Sequence, residues 1–262
     1  MKKFVLILFL ILIVTGCGSN LQSASGELET LTHDFKQNGL ALKANIKLGK
    51  YIKVNASITN NSGETIIYNG RCGIPFRISV KKEDAHSHLI PRDEEEVGCD
   101  DIFDPNDLRE MEPNETFEKE ITFKREVSLT NGRTVSALSG MYEVSFSFQM
   151  HGNERFFSSL PLELMMDKEP EIMTVDQAKA LAKENKEVMK WFDEYEKEDT
   201  SIESEDAILS DGMWTVMFHA IHKDKDKDGA DRIIINMDAK SGDIKAIHYE
   251  ELSKEVLEFL KK

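Results

Sequence analysis

Alternation of apolar and polar residues between positions 40 and 166 limits the fold of this chain more than any other feature. In MYEVSFSF, residues 141–148, one face carries Tyr, Val and two Phe, while the other carries Glu and two Ser. A period of two is that of a half-buried β-strand. Seven segments share it: residues 40–48, 51–59, 65–68, 74–80, 115–123, 141–148 and 155–166. Seven strands separated by turn signals predict a two-sheet β-sandwich over residues 40–168.

The pattern changes to a helical one near residue 170. Thr174 and Gln177 have the spacing of a capping box, and an apolar stripe follows at helical intervals. Asn185 falls within this stripe, so we expect two helices there. Strands are then predicted at residues 206–210, 213–222, 232–238 and 244–248, followed by a last helix over residues 249–262. A small α+β domain is therefore expected over residues 169–262.

The first 39 residues are predicted to lie outside both domains. Lys2 and Lys3 precede an apolar run, Phe4–Val14, that is too short to span a bilayer as a helix. This is the pattern of a secretory signal, which we assign to residues 1–16. Residues 17–39 are rich in Ser, Gly, Asn and acidic residues, and we predict a flexible tether.

The end of the signal carries a more specific motif. The sequence VTGC, in which Thr15 and Gly16 precede Cys17, resembles the lipobox of bacterial lipoproteins. The resemblance implies a diacylglycerol on the thiol of Cys17 and cleavage just before it. Two acyl chains hold a protein stably at a bilayer. The alternative is an ordinary secretory signal with an incidental cysteine.

The charge of the chain restricts its partners. It contains 33 basic and 48 acidic residues, for a formal net charge of −15. Loss of Lys2 and Lys3 with the signal would leave 31 basic and 48 acidic residues, or −17. Such a surface does not bind nucleic acid by neutralising phosphates. It suits a module on the extracytoplasmic face of a cell membrane.

Two further cysteines, Cys72 and Cys99, form an even pair if Cys17 is lipidated. Outside the cytosol a disulfide is their expected state. It would close a loop of about 28 residues and contribute roughly 3–4 kcal/mol in the chain-entropy model. Two free thiols or a metal site are the alternatives. The bridge would pin the acidic segment 81–114, which is either a functional loop or a solvated one.

Two phrases in the first domain carry a resemblance. MEPNETFEKEITF is similar to the turn-and-strand motif of immunoglobulin-like sandwiches, with Asn114 in place of the usual Gly. LSGMYEVSFSF is similar to the entry of a late strand in which a Tyr anchors a corner, with Ser139 in place of Pro. With its strand order, the region from about 40 to 166 resembles the intracellular proteinase inhibitor domain of bacilli. The motifs are short, so inhibition is not assigned to any residue.

The second domain resembles the PepSY-like domains of bacterial surface proteins. The matching phrases are MTVDQAKALA, WTVMF and INMDAKSGDIKAI, in which Ser241 stands where the family has Thr. Asp238, Ser241 and Gly242 favour a turn, since Gly adopts positive φ and Asp and Ser bond the backbone. The resemblance implies a small α+β domain that binds or restrains peptidases.

A possible calcium loop lies in HKDKDKDGADR, residues 222–232. Asp224, Asp226 and Asp228 precede Gly229 with the spacing of the first half of an EF-hand. Position 12 of the loop, which should be Glu, is Ile235, and β-branched residues follow where a helix is required. We therefore predict the tip of a β-hairpin, with a loose calcium site at the three aspartates as the alternative.

His86 and His88 form an H-x-H pair that could bind zinc or copper if it lay on a strand; otherwise they are polar loop residues.

The sequence has no signature of a catalytic nucleophile, and we expect a non-catalytic protein without a cofactor. The leading hypothesis is protein binding at the membrane surface, with a surface or secreted peptidase as the partner. The alternatives are a ligand- or calcium-binding lipoprotein and a structural spacer of the envelope.

Overall fold

The computed structural model describes residues 29–92, 104–130, 132–152, 154–195, 200–222 and 229–253. These residues form mostly antiparallel β-sheets with two short α-helices. The N-terminal strands are β1 (Glu29–Gln37), β2 (Leu40–Leu48), β3 (Tyr51–Asn60), β4 (Ile66–Asn69), β5 (Phe76–Lys82), β6 (Leu108–Met111), β7 (Thr116–Lys124), β8 (Glu126–Ser128), β9 (Thr134–Ser136), β10 (Gly140–Gln149) and β11 (Arg155–Leu164). The C-terminal elements are α1 (Val175–Lys183), α2 (Lys186–Tyr195), β12 (Thr200–Ser210), β13 (Met213–His222), β14 (Gly229–Asp238) and β15 (Ile244–Ser253).

Two sheets dominate the N-terminal region. One has the order β1-β2-β3-β7 and the other β11-β10-β5, and two-stranded sheets β4-β6 and β8-β9 accompany them. Aromatic side chains of the two main sheets meet in the core. The rings of Phe117 on β7 and Phe148 on β10 lie 6.1 Å apart. All seven predicted strands are confirmed to within about two residues. Strands β3, β5 and β10 bury alternate side chains, as their sequence pattern predicts.

The predicted tether is wrong for its last part. Residues 29–37 form β1, which pairs antiparallel with β2 over its whole length. The alternation of Leu31, His33 and Phe35 supplies the inward face of this strand, although its exposed side is hydrophilic enough to resemble a linker. Residues 17–28 lie outside the described residues. The sequence pattern also does not predict three short strands, β6, β8 and β9.

Tyr142 anchors a corner at the start of β10, as the resemblance implies. Its side chain is fully buried, and its hydroxyl donates a hydrogen bond to the carbonyl oxygen of Leu138 at 2.6 Å. Burial, and then the negative charge of Asp84, raise the pKa of this phenol well above its ordinary value. The phenol therefore stays neutral and keeps its proton for the Leu138 carbonyl.

The substitution Tyr142→Phe is expected to lower the free energy of unfolding by about 1–2 kcal/mol, because it leaves the Leu138 carbonyl without this donor. Urea unfolding followed by far-ultraviolet circular dichroism measures the loss. Ser147→Ala, on the outer side of the same strand, should change stability by less than about 0.5 kcal/mol. Equal effects of the two substitutions would contradict an anchoring role for Tyr142.

The predicted turn before β7 is present, with Asn114 at the position where glycine is usual. Its φ is 66°, in the left-handed region where glycine is usual and asparagine is tolerated. Its N–H donates to the carbonyl oxygen of Asn60 at 2.7 Å. Asn114 therefore replaces the usual turn glycine without loss of the turn.

The C-terminal region is a four-stranded meander with both helices packed against it. Its order is β12-β13-β14-β15, so each strand pairs with a neighbour in the chain. Thr174 and Gln177 form the predicted capping box. The side-chain oxygen of Asn185 accepts from the N–H of Glu187 at 2.9 Å, which confirms that Asn185 separates the two helices. Within the described ranges, neither helix has the length and apolar character needed to cross a membrane.

The predicted last helix is wrong where it can be compared. Residues 249–253 continue β15, with Tyr249 opposite Ile233 and Leu252 opposite Ala230. Pairing with β14 therefore overrides the helical spacing of this segment. Residues 254–262 lie outside the described residues.

Contacts among the described residues join the N-terminal and C-terminal regions. The N–H of Leu209 on β12 donates to the carbonyl oxygen of Ala85 at 2.8 Å. Gly212, in the turn between β12 and β13, approaches Leu129 so closely that an added Cβ would lie 2.8 Å from the Leu129 Cα. Buried apolar residues of both regions belong to one connected cluster. A domain boundary at residues 168 and 169 stays a prediction.

Candidate functional site

One end of the outer side of the sheet β11-β10-β5 carries serines and two arginines, while Lys81, Glu143 and Glu163 lie farther along the same side. Register brings Arg77, Ser147 and Phe157 into one row across the three strands, and Ser79, Ser145 and Ser159 into the next. Arg155 lies opposite Gln149 in the row on the other side. We call this surface the arginine–serine face and define it by Arg77, Ser79, Ser145, Ser147, Arg155 and Phe157.

Several contacts give the arginine–serine face a defined shape. The hydroxyl oxygens of Ser79 and Ser145 lie 2.8 Å apart in a hydrogen bond. The guanidinium carbon of Arg155 lies 5.5 Å from the centre of the Phe157 ring, within the range of a cation–π contact. The Phe157 side chain is nevertheless 44% exposed. Apolar and cationic groups are thus offered to solvent side by side.

Two adjoining concavities lie on this face. One, of about 420 Å³, is lined by Arg77, Ser79, Ser145, Ser147, Arg155 and Phe157, together with Ile78 and Lys119. The other, of about 360 Å³, shares Arg77, Ser147 and Arg155 and extends to the loop of Cys72 and Ile74. The two arginines therefore line both concavities.

The outer side of the sheet β1-β2-β3-β7 differs from the arginine–serine face in its distribution of charge. It also has a concavity, of about 600 Å³, whose lining includes Lys43, Asp34 and Glu118. Lys53 and Glu120 form an ion pair at 2.5 Å on the same side. Positive groups on this side therefore lie among carboxylates, which lowers their attraction for an anionic partner.

Only part of the arginine–serine face is predictable from the sequence. The alternation in β10 predicts that Ser145 and Ser147 point away from the core, which the structure confirms. The grouping of Arg77 with Arg155 depends on the pairing of β5 and β11 with β10, which local sequence does not specify. The sequence does indicate one feature of the site, because it places Arg77 and Arg155 at outward positions of predicted strands.

Most predicted site residues lie outside the described residues: Cys17, Cys99, Asp224, Asp226 and Asp228. Cys72 is disulfide-bonded, and its pairing with Cys99 stays a prediction. The strands around the aspartates pair as a hairpin, with Ile221 opposite Ala230, as predicted. Calcium binding by the three aspartates stays a prediction.

His86 and His88 do not share a strand, contrary to the arrangement that a metal pair requires. His86 follows a turn and has a φ of 49°, while His88 forms an isolated bridge with Lys81. Burial, then the charges of Lys81 and His86, lower the pKa of His88. In the described part of the chain, no three His, Cys, Asp or Glu residues are grouped so as to hold a metal ion.

A serine–histidine pair is present, but it lies between the sheets. The side chains of His33 and Ser158 are hydrogen-bonded, with Nε2 and Oγ 2.7 Å apart. Ser158 is only 4% exposed, and the His33 ring stacks on Phe146 at 5.9 Å. This pair joins the edges of the two main sheets, and its hydroxyl is not presented to a substrate.

The predicted turn of Asp238, Ser241 and Gly242 is confirmed. A carboxylate oxygen of Asp238 accepts from the N–H of Ser241 at 2.8 Å and of Lys240 at 3.0 Å, and Gly242 has a φ of 77°. These bonds, led by that from Ser241, lower the pKa of Asp238. A carboxyl group whose pKa is lowered by folding stabilises the folded state at pH values above its ordinary pKa of about 3.9. This stabilisation is lost as the pH falls below that value.

No model of a known protein family matches the chain, and no curated protein matches it in sequence.

Proposed function

We propose that the protein is a non-catalytic protein-binding module, held on the extracytoplasmic side of the membrane by a diacylglycerol on Cys17. Its partner in this proposal is a surface or secreted peptidase, whose activity it restrains. The observation that carries the proposal is the arginine–serine face. Arginine and aromatic side chains are enriched among the residues that dominate protein–protein affinity, and here they flank concave, hydrogen-bonding surface.

Two fold assignments support the choice of partner and belong to the same proposal. The hydrogen bond from Tyr142 to Leu138 supports an immunoglobulin-like sandwich, in which such a corner recurs. Two helices followed by a meander with a Trp-centred strand support a PepSY-like α+β domain. Both families are associated with the control of peptidases.

The location is supported by sequence. The VTGC motif ends at Cys17, and the acidic mature chain suits an extracytoplasmic space. Metabolic labelling with a radioactive fatty acid should mark the wild-type protein. The Cys17→Ala variant should remain unlabelled.

Site-specific photo-crosslinking tests protein binding at the arginine–serine face. A benzophenone amino acid at position 145 is expected to yield a protein adduct in intact cells. The same group at Asn55, on the outer side of the other main sheet, serves as the matched control. Mass spectrometry should identify a peptidase in the adduct, and deletion of the protein should raise extracellular proteolysis.

The absence of an adduct from position 145, together with unchanged proteolysis, would overturn the proposal. Equal adducts from both positions would show contact without the specificity that the face predicts.

A further inference from the structure

We infer that the arginine–serine face binds an extended acidic segment of its partner, with carboxylates at positions i and i+2 received by Arg77 and Arg155. This inference rests on the proposed function and names the chemistry of the partner at the same site.

The charges of this face are available for an external anion. Elsewhere, Arg71 lies 3.6 Å from a carboxylate oxygen of Asp107, and Arg232 is ion-paired with Glu250. Within the described ranges, no ion pair involves Arg77 or Arg155. Both side chains are exposed. In a chain with 48 acidic residues, two such arginines on one concave face are suited to carboxylates from another molecule.

Strand register sets the distance between the two arginines. Arg77 lies on β5 and Arg155 on β11, with β10 between them, and their partners Ser147 and Gln149 are two positions apart. Strand spacing of about 4.8 Å and a rise of about 3.4 Å per residue place their Cα atoms roughly 12 Å apart. The regular sheet therefore fixes the separation of the two arginine Cα atoms, while the side chains remain able to move.

An extended peptide can satisfy this separation. Its same-side residues lie about 7 Å apart, and the two flexible arginine side chains can converge on carboxylates at that spacing. Each guanidinium can donate two parallel hydrogen bonds to a carboxylate. Ser147, on the strand between the two arginines, can donate to or accept from the peptide backbone. Phe157 and the 48% exposed Ile74 offer apolar contact at the margins.

The overall charge determines how such binding must work. A formal net charge of −15 opposes an acidic ligand at long range. At physiological salt, however, charges interact over only about 8 Å. Affinity must therefore come from short contacts at the face, and it should depend on where the carboxylates stand in the peptide.

Two octapeptides of identical composition test this dependence. One alternates Glu and Ser, which places carboxylates at i and i+2; the other repeats the order Glu, Glu, Ser, Ser, which never does. Each is titrated into the mature chain carrying Cys17→Ser, in 0.15 M NaCl. Binding is followed by nuclear magnetic resonance of the arginine Nε–H groups and backbone amides. We expect the alternating peptide to bind at least tenfold more tightly and to shift resonances of the arginine–serine face.

Substitutions locate the binding. Arg77→Gln and Arg155→Gln should each weaken the alternating peptide at least tenfold, and Arg77→Lys by less, because lysine keeps the charge without the paired geometry. Lys53→Gln, on the outer side of the other main sheet, is the matched control and should leave affinity unchanged. Circular dichroism spectra identical to wild type exclude misfolding as the cause.

Equal affinity for the two peptides, or binding that survives both arginine substitutions, would overturn the inference. So would inorganic tripolyphosphate that binds as tightly as the alternating peptide, since the face would then be a general polyanion site. Adducts from position 145 without any preference between the peptides would leave the proposed function intact and remove this inference. Specific peptide binding without any adduct in cells would support the inference and count against the proposed function.

Discussion

Replacing Trp214 by alanine is expected to lower the free energy of unfolding by about 3–5 kcal/mol. The Trp214 side chain is fully buried in the central strand β13, opposite Leu209 and Met237 of the flanking strands. Its indole N–H donates to the carbonyl oxygen of Met173 at 3.1 Å, just before α1. The substitution would open a cavity in the core and remove one of the hydrogen bonds that tie the helical segment to the sheet. Urea unfolding followed by circular dichroism measures the loss.

Two variants separate these contributions. Trp214→Phe keeps most of the ring and should cost about 1–2 kcal/mol for the unpaired Met173 carbonyl and a smaller void. Met189→Ala removes another large apolar side chain, but from a position on α2 that is 51% exposed. It should change stability by less than about 0.5 kcal/mol. A Trp214→Ala effect as small as that of Met189→Ala would contradict the packing described for β13.

Gly212→Ala is expected to cost about 3 kcal/mol or more, although it adds only one methyl group. Gly212 has a φ of 74°, which an alanine adopts at a cost of about 1–2 kcal/mol. The new Cβ would also lie 2.8 Å from the Cα of Leu129 and 3.0 Å from the N of Thr130. These are backbone atoms, so relief requires the turn between β12 and β13 to move away from the N-terminal region. Thermal unfolding measures the combined cost.

Gly63→Ala supplies a matched control for the backbone contribution. Gly63 has a similar φ of 81°, but nothing lies within 4 Å of its added Cβ. It should therefore cost only about 1–2 kcal/mol. The difference between the two variants reports the close approach of the two regions. Equal costs would show that the Gly212–Leu129 contact contributes nothing measurable.

A strand is predictable from the sequence where apolar and polar residues alternate and the apolar ones are buried. β10 is an example, because Tyr142, Val144, Phe146 and Phe148 are all fully buried. β1 was missed because its outward residues resemble a linker, and its pairing with β2 stabilises it. The last predicted helix failed at residues 249–253 for a related reason, since long-range pairing with β14 outweighs local spacing.

The candidate site was less accessible to prediction than the fold. Outward positions for Ser145 and Ser147 follow from local alternation. The meeting of Arg77 with Arg155 requires the order β11-β10-β5, in which strands distant in the chain become neighbours. Motifs that can be recognised in the sequence, such as the aspartates at 224, 226 and 228, do not predict the arginine–serine face.

The same strand order has a kinetic consequence. In the C-terminal meander each strand meets a neighbour in the chain, as when Val216 pairs with Ile235. In the N-terminal region Ile78 must find Phe146 far along the chain, and closing that long loop costs more entropy before any contact compensates it. Low contact order favours fast folding. We therefore expect the C-terminal sheet to form first during refolding, so that the region synthesised later of the two is the first to become ordered.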